Sequence, residues 1–308
     1  KGWGGDFRNG DGNRDVYVVE QGELLQPRTG RPQPPRPLDS EPLPFDATED
    51  RRIALAAWLT TDNNPYFSHA IANRVWANFM GVGLVENIDD LRLTNPPSNP
   101  QLFDELAAYL REQKYDLKSL MRLILQSNAY QRSSAPLPEN ASDERFYSRY
   151  FTRRLKAEIL LDAVSQSLAA PTAFKDYPEG TRALQLRDAA VDSYFLETFG
   201  RPERIITCEC ERSDEPSMVQ VLHLVNGDTI NQKLAVEKNV IGQALETDTP
   251  LGRIVDSAYL RALCRFPTED ERAQMLTVLS QTPPEETRQS IEDLYWSILS
   301  SREFLFQH

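Results

Sequence analysis

Four oxygen-bearing side chains in one loop form the first group that could do chemistry: Glu86, Asn87, Asp89 and Asp90. Carboxylate and amide oxygens suit Ca²⁺, although this spacing departs from the alternating ligands of an EF-hand. The aspartates could also serve glycoside cleavage, which needs two carboxyl groups about 5–9.5 Å apart across the sugar. Because neighbours in sequence point apart, the second carboxylate would come from elsewhere. The simpler alternative is that both aspartates cap the loop.

The second group is a stretch in which cysteines and glutamates alternate: Cys208, Glu209, Cys210 and Glu211. If this stretch is extended, the two thiols share one face and the two carboxylates share the other. Either glutamate could complete a catalytic pair with one of the aspartates. Two thiolates could form half of a zinc site, and a disulfide between them would be strained. The remaining zinc ligands would be Cys264 and either His69 or His223. The alternative is that these residues have no chemical role and are buried in a loop held by ion pairs.

Arginines and an indole near these loops are candidate binding groups. Arg74 and Trp76 lie on one predicted helix that leads into a glycine-rich turn, where they could line a pocket. Arg74 could instead pair with one of the two aspartates, since arginine–carboxylate pairs are common structural ties. Arg201 lies among glutamates, which suits an ion-pair network or an anionic ligand. The predicted binding residues are Arg74, Trp76, Arg92, Arg201, Arg212 and Asn226.

The segment from His223 to Asp228 joins two predicted helices. Asn226-Gly227 is a turn signal and Asp228 can cap the next helix, so His223 is predicted as a core or capping residue. The sequence contains no nucleophile elbow, phosphate-binding loop, dinucleotide fingerprint or zincin motif. It therefore gives no support to the common hydrolase, NTPase, dehydrogenase or metalloprotease classes.

These residues must be positioned mainly by helices, because apolar residues recur at helical spacing from residue 49 onwards. The pattern predicts a mainly α, multi-helix globular array of about ten helices and few short strands. One strand is expected at 183–186. Helices are expected at 152–169 and, without interruption, at 228–245.

The first fifty residues differ in composition from the rest. Residues 27–37 are rich in proline, which excludes a regular helix and predicts an extended strap. We therefore expect a strap or linker at 1–48, a first helical subdomain at 49–140 and a second at 141–308. The two subdomains could also form one continuous domain.

Composition excludes several classes of protein. The chain has 308 residues, 40% of them hydrophobic, which is too apolar for a disordered chain. It carries 46 acidic and 34 basic residues, a formal net charge of −12. This balance argues against a general nucleic-acid binder and against docking on an anionic membrane surface. No apolar run approaches the roughly 20 residues of a membrane span.

A series of motifs, in order along the chain, resembles a known family. Its most specific members are Asn73-Arg74-Val75-Trp76, Gly81-Val82-Gly83-Leu84-Val85, Asp89-Asp90, Arg154-Leu155-x-Ala157-Glu158, Phe199-Gly200-Arg201-Pro202, Cys208-Glu209-Cys210-Glu211-Arg212 and Leu222-His223-Leu224-Val225-Asn226-Gly227. They resemble the planctomycete-type family of domains of unknown function numbered 1553, over about residues 25 to 308. The resemblance carries no established activity, catalytic residue or cofactor.

What the resemblance does imply is a setting. Members of this family are typically the C-terminal part of larger exported proteins, often with a cytochrome-c-like domain upstream. We therefore expect a periplasmic or cell-surface location, although these 308 residues contain no visible signal peptide. The upstream domain of the same parent protein, and a cytochrome-c-like domain, are the expected partners.

Three functions remain open from the sequence. The first is a non-catalytic helical module that binds a partner domain or a surface polymer. The second is a polysaccharide-active enzyme that uses Asp89 or Asp90 with Glu209 or Glu211. The third is a redox partner of a haem domain that uses Cys208 and Cys210. The chain itself is predicted to need no cofactor, with Ca²⁺ or Zn²⁺ as the alternatives described above.

Overall fold

The prediction of a mainly α fold is confirmed. A computed structural model describes residues 23–45, 50–62, 64–187, 191–203 and 216–307, together with the backbone of residues 3–4 and 15–16. The helices of these residues are α1 Arg51–Thr60, α2 Phe67–Met80, α3 Pro100–Glu112, α4 Leu117–Leu125, α5 Ala157–Leu168, α6 Tyr194–Thr198, α7 Met218–Asn226, α8 Asp228–Ala235, α9 Val240–Glu246, α10 Leu251–Leu263, α11 Glu269–Gln281, α12 Thr287–Leu299 and α13 Arg302–Leu305.

The described part of the chain contains four two-residue strands, which form two antiparallel pairs. Strand β1 (Trp3–Gly4) pairs with β2 (Asp15–Val16), and β3 (Arg153–Arg154) pairs with β4 (Phe306–Gln307). The second pair explains why α5 begins at Ala157 and not near residue 152, since Arg153 and Arg154 are held extended. The strand predicted at 183–186 is wrong. A 3-10 turn, Ala183–Gln185, forms there because the Asp162 carboxylate accepts hydrogen bonds from its first two backbone N–H groups.

The chain divides into two compact units. Unit 1 comprises residues Lys1–Ala72 and Asn99–Leu120, and unit 2 comprises Asn73–Ser98 and Met121–His308. The three boundaries fall within α2, just before α3 and within α4, and residue 140 lies inside unit 2.

Unit 1 holds the proline-rich strap against its first helix. Residues 23–45 contain no helix, and Leu25 and Pro32 form an isolated bridge. The Arg51 guanidinium donates two hydrogen bonds, of 2.8 and 2.6 Å, to the Glu23 carboxylate. The side chain of Asn99 caps α3 and Pro100 occupies the first turn, both of which are common at helix starts. The buried face of α3 consists of Phe103, Leu106, Ala107 and Leu110.

Unit 2 is built around α5. This helix buries Leu160, Leu161, Val164 and Leu168 and packs against α6, α8 and α10. Helix α12 adds a second buried stripe to the same core: Ile291, Leu294, Tyr295, Ile298 and Leu299. The large core of unit 2 is therefore made almost wholly by helix packing.

The single helix predicted at 228–245 is wrong, because Asn239 divides it into α8 and α9. Its amide nitrogen donates to the carbonyls of Lys233 and Leu234 at the end of α8. Its amide oxygen accepts from the backbone of Ile241 and Gly242 at the start of α9. A fully buried asparagine thus terminates one helix and caps the next.

Candidate functional site

The loop that carries Asp89 and Asp90 is held to α2 by one buried amide. Asn73 is fully buried; its nitrogen donates to the carbonyls of Val85 (3.1 Å) and Ile88 (3.2 Å), and its oxygen accepts from the Val85 N–H. A Cβ at Gly83 would lie 2.5 Å from the Val85 carbonyl oxygen, so only glycine fits there. Sequence reasoning missed Asn73 as the residue that shapes this loop. The feature of the sequence that could have indicated this role is a polar residue on an otherwise apolar helix that is followed by two glycines.

Both aspartates of this loop are paired with arginines. The Arg74 Nη2 lies 2.5 Å from Asp89 Oδ1, and the Arg92 guanidinium contacts both oxygens of Asp90 at 2.6 Å. These hydrogen bonds from Arg92 hold the pKa of Asp90 below its usual value. A general acid needs the opposite shift, so Asp90 is poorly suited to protonate a leaving group. The pair with Arg74 holds the loop to α2. Arg74 and Arg92, both predicted binding residues, are therefore engaged by these carboxylates.

Trp76 lies in the core and not on a pocket wall. Its side chain is 3% exposed, and its ring meets that of Tyr147 edge-on at 5.3 Å between centroids. The Tyr147 hydroxyl donates to the Val82 carbonyl at 3.0 Å, and burial raises the pKa of Tyr147 to about 12. The predicted binding residue Trp76 therefore packs behind the loop and presents no indole face to a ligand.

A second group of polar residues lies where β3, α5, α6 and α7 meet. Arg201, after the end of α6, approaches Glu158 in the first turn of α5 at 3.7 Å, with side chains only 5% and 10% exposed. Arg154 on β3 donates to Gln220 of α7, and its guanidinium lies over the Phe199 ring at 5.5 Å. Several residues of the sequence motifs thus come together in space, although they are far apart along the chain.

Helix α7 is fastened to this group by its polar side chains. Gln220 donates to the Thr198 carbonyl at 2.9 Å and forms a capping box with Ser217. His223, 8% exposed, lies among the rings of Tyr194, Phe195 and Phe199, with centroids 5.4, 5.5 and 6.1 Å away. Its Nε2 lies 3.0 Å from Thr229 Oγ1.

The turn after α7 fits tightly against the same histidine. Burial lowers the pKa of His223, against an opposing effect of Asp228, so the neutral ring is favoured. A Cβ at Gly227 would lie 2.2 Å from the His223 carbonyl oxygen, which is why the turn needs glycine. Asn226, a predicted binding residue, is the exposed last residue of α7.

The outward face of α7 is apolar. Its side chains are 43–73% exposed and include no charged group; they are Met218, Val219, Val221, Leu222 and Val225, and we call them the α7 apolar face. This order is the reverse of an ordinary surface helix, which buries its apolar stripe and exposes its polar one. Sequence reasoning missed this face, because an apolar helix interrupted only by glutamine and histidine is normally oriented the other way.

The predicted metal ligands are dispersed or lie outside the described residues. Cys208, Glu209, Cys210, Glu211 and Arg212 fall outside them. Cys264 is exposed at the end of α10, and His69 lies 2.9 Å from Asp104 in unit 1. Within the described ranges, no three histidine, cysteine or acidic side chains cluster in a way that could hold a metal ion.

The fold and the polar group define a helical protein whose described residues contain no helix long and apolar enough to cross a membrane. The family model described as PSD1, a protein of unknown function (DUF1553), matches residues 51–279. Because the match covers well over half of the chain, the chain belongs to this family. No curated protein matches the chain. No solved structure matches it either.

Proposed function

We propose that this chain is a non-catalytic interaction module that docks on another protein domain through the α7 apolar face. The observation that carries the proposal is the reversed orientation of α7, with Gln220 and His223 inside and five apolar side chains in water. Contiguous exposed apolar patches on soluble proteins mark interaction surfaces more often than isolated apolar residues do.

Covering this face gains about as much free energy as the lowest cost of associating two separate molecules, so it suits a partner domain that is tethered in the same parent protein. Burying the exposed half of each side chain contributes roughly 1 kcal/mol, or about 5 kcal/mol for the five before the costs of association. The face is charge-free, so its partner needs an apolar surface and not a basic one. The apolar ring faces of a polysaccharide are small and bordered by hydroxyl groups, whereas a protein can present a continuous apolar surface, which favours a protein partner over a surface polymer.

The partner that we propose is an upstream domain of the same exported parent protein, in the periplasm or at the cell surface. This part of the proposal rests on the family resemblance. The catalytic alternative receives less support, because Asp89 and Asp90 are both engaged by arginines. The redox alternative depends on Cys208 and Cys210, which lie outside the described residues.

Oxidation of Met218 provides a direct measure of whether the face is covered. Met218 is 73% exposed in this chain, and Met80 is 1% exposed and serves as an internal buried reference. In the complete parent protein we expect Met218 to be oxidised by hydrogen peroxide at least about fivefold more slowly than in this chain alone. Peptide mass spectrometry of both methionines measures the two rates.

Two substitutions in the parent make the experiment specific. Leu222→Asp places a charge in the α7 apolar face and should restore fast oxidation of Met218. Leu93→Asp changes a fully exposed leucine of another loop and should leave Met218 protected. Equal oxidation rates of Met218 in the parent and in the isolated chain would contradict the proposal.

A further inference from the structure

A second surface feature lies between α8 and α12. The two helices border an open cleft of about 750 Å³, within the range of small-ligand sites. Leu234 and Ala235 of α8 supply apolar lining, and Trp296 of α12 stands at one end. Trp296 is half-buried and packs against the core, so part of its ring remains available to the cleft.

The polar lining of the cleft comes mostly from one face of α12. Arg288, Gln289, Glu292 and Asp293 repeat at spacings of three and four residues, followed by Trp296 in the same series. The opposite face of α12 is the buried stripe already described. Because that stripe fixes the rotation of the helix, the polar groups and the indole are held in a fixed order along the cleft.

Two of these side chains are preorganised further. The Arg288 Nε donates to Glu292 Oε1 at 2.8 Å, and its Nη2 donates to the Val236 carbonyl at 3.1 Å. The guanidinium therefore links α12 to Val236, the residue that follows α8. A ligand does not pay for ordering these two side chains, which improves its net affinity.

The chemistry of the lining selects one class of ligand. Three carboxylates, on Glu285, Glu292 and Asp293, accompany one guanidinium, which disfavours an anionic ligand. Arg288 neutralises Glu292, whereas Glu285 and Asp293 keep the lining acidic, so a cationic ligand is the competitor that the experiment has to exclude. The amides of Asn231 and Gln289 both donate and accept hydrogen bonds. An indole beside amide, carboxylate and guanidinium groups suits neighbouring hydroxyl groups on an apolar ring face.

We propose that the cleft between α8 and α12 binds a neutral oligosaccharide. One sugar ring stacks on Trp296, and its hydroxyl groups bond to Gln289, Asp293 and Asn231. The site uses none of the residues of the α7 apolar face, so it is a second function, independent of protein docking.

Intrinsic fluorescence and calorimetry test this site with neutral hexasaccharides of glucose, mannose, galactose, xylose and N-acetylglucosamine. At least one of them should bind and change the tryptophan emission. Hexagalacturonate and spermine serve as the anionic and cationic comparison ligands and should bind at least tenfold more weakly. Preferred binding of either charged ligand, or no binding of any neutral hexasaccharide, would overturn the proposal.

Matched variants locate the binding. Trp296→Ala should weaken the affinity about tenfold, whereas Trp296→Phe keeps a stacking ring and should retain most of it. Phe266→Ala removes an exposed aromatic ring elsewhere and should have no effect. Circular dichroism and thermal melting check that each variant is folded. If folded Trp296→Ala binds as the wild type does, or folded Trp296→Phe loses as much affinity as Trp296→Ala, the sugar does not stack on this ring and the proposal fails. Leu222→Asp, which blocks the α7 apolar face, should leave sugar binding unchanged.

Discussion

Helices α7 and α12 belong to the same unit but are oriented in opposite ways. Helix α12 buries Ile291, Tyr295 and Leu299 and exposes the polar residues that line the cleft. Helix α7 buries Gln220 and His223 and exposes its apolar side chains. The first arrangement is explained by folding alone, since burial of apolar surface stabilises the unit. The second is not, and this contrast supports the proposal that α7 docks on a partner.

The largest effect expected from this comparison is on stability. Leu299→Ala in α12 removes a fully buried side chain and should lower the free energy of unfolding by about 3 kcal/mol. The matched change in α7, Leu222→Ala, removes a side chain that is 56% exposed and should cost about 0.5 kcal/mol. Urea unfolding of both variants measures the contrast. Equal losses would mean that the α7 apolar face is part of the folded core.

A second comparison sets the buried ion pair near α7 against the exposed pair of the loop. Glu158→Gln leaves the buried Arg201 with a weaker partner and should cost about 2–3 kcal/mol. Asp89→Asn breaks an exposed pair with Arg74 and should cost about 0.5 kcal/mol or less. Chemical denaturation at neutral pH compares them. A small loss for Glu158→Gln would show that the buried pair does not hold the polar group together.

Lys233 on α8 points inward, as Gln220 and His223 on α7 do. Of the three comparisons, the one that involves Lys233 has the smallest expected effect on stability. It is 8% exposed, its Nζ donates to the Ala170 carbonyl at 2.7 Å, and burial lowers its pKa to about 8. Between pH 8 and the unfolded value of 10.5, the unfolded chain binds more protons. This group therefore makes the protein more stable as the pH rises through that window.

Lys233→Met should remove this dependence on pH. We expect the variant's stability relative to the wild type to fall by up to about 2 kcal/mol between pH 8 and 10.5. Thermal unfolding of both proteins across this range gives the difference, in which the titration of tyrosines common to both cancels. A difference that does not change with pH would show that folding does not lower the pKa of Lys233.

Local features of the fold were predictable wherever a short-range rule applies. Asn99 and Pro100 start α3 in keeping with the usual preferences of these residues, and α2 ends at Met80, before Gly81, whose φ is +84°. The pairing of Arg74 with Asp89 was one of two alternatives open from the sequence. The interruption at Asn239 was not predictable, because it depends on a buried amide that bonds to two helices at once.

The candidate sites were less predictable from the sequence than these local features of the fold. The sequence placed Trp76 among the binding residues, whereas the structure buries it against Tyr147. Nothing in the sequence pattern singled out Trp296 as a binding residue, yet it borders the cleft between α8 and α12. Residue type alone does not distinguish an indole in a core from one in a cleft, because the distinction depends on which helices pack around it.

The sequence by itself determined the family, the mainly α class and the ends of several helices, because periodicity and capping act within a few residues of the chain. Only the tertiary structure decided which way α7 faces. Gln220 and His223 turn inward because Thr198, Thr229 and three aromatic rings, distant in sequence or on other elements, provide hydrogen bonds and packing for them. Once those partners fix the polar side, the geometry of the helix leaves its apolar residues in water.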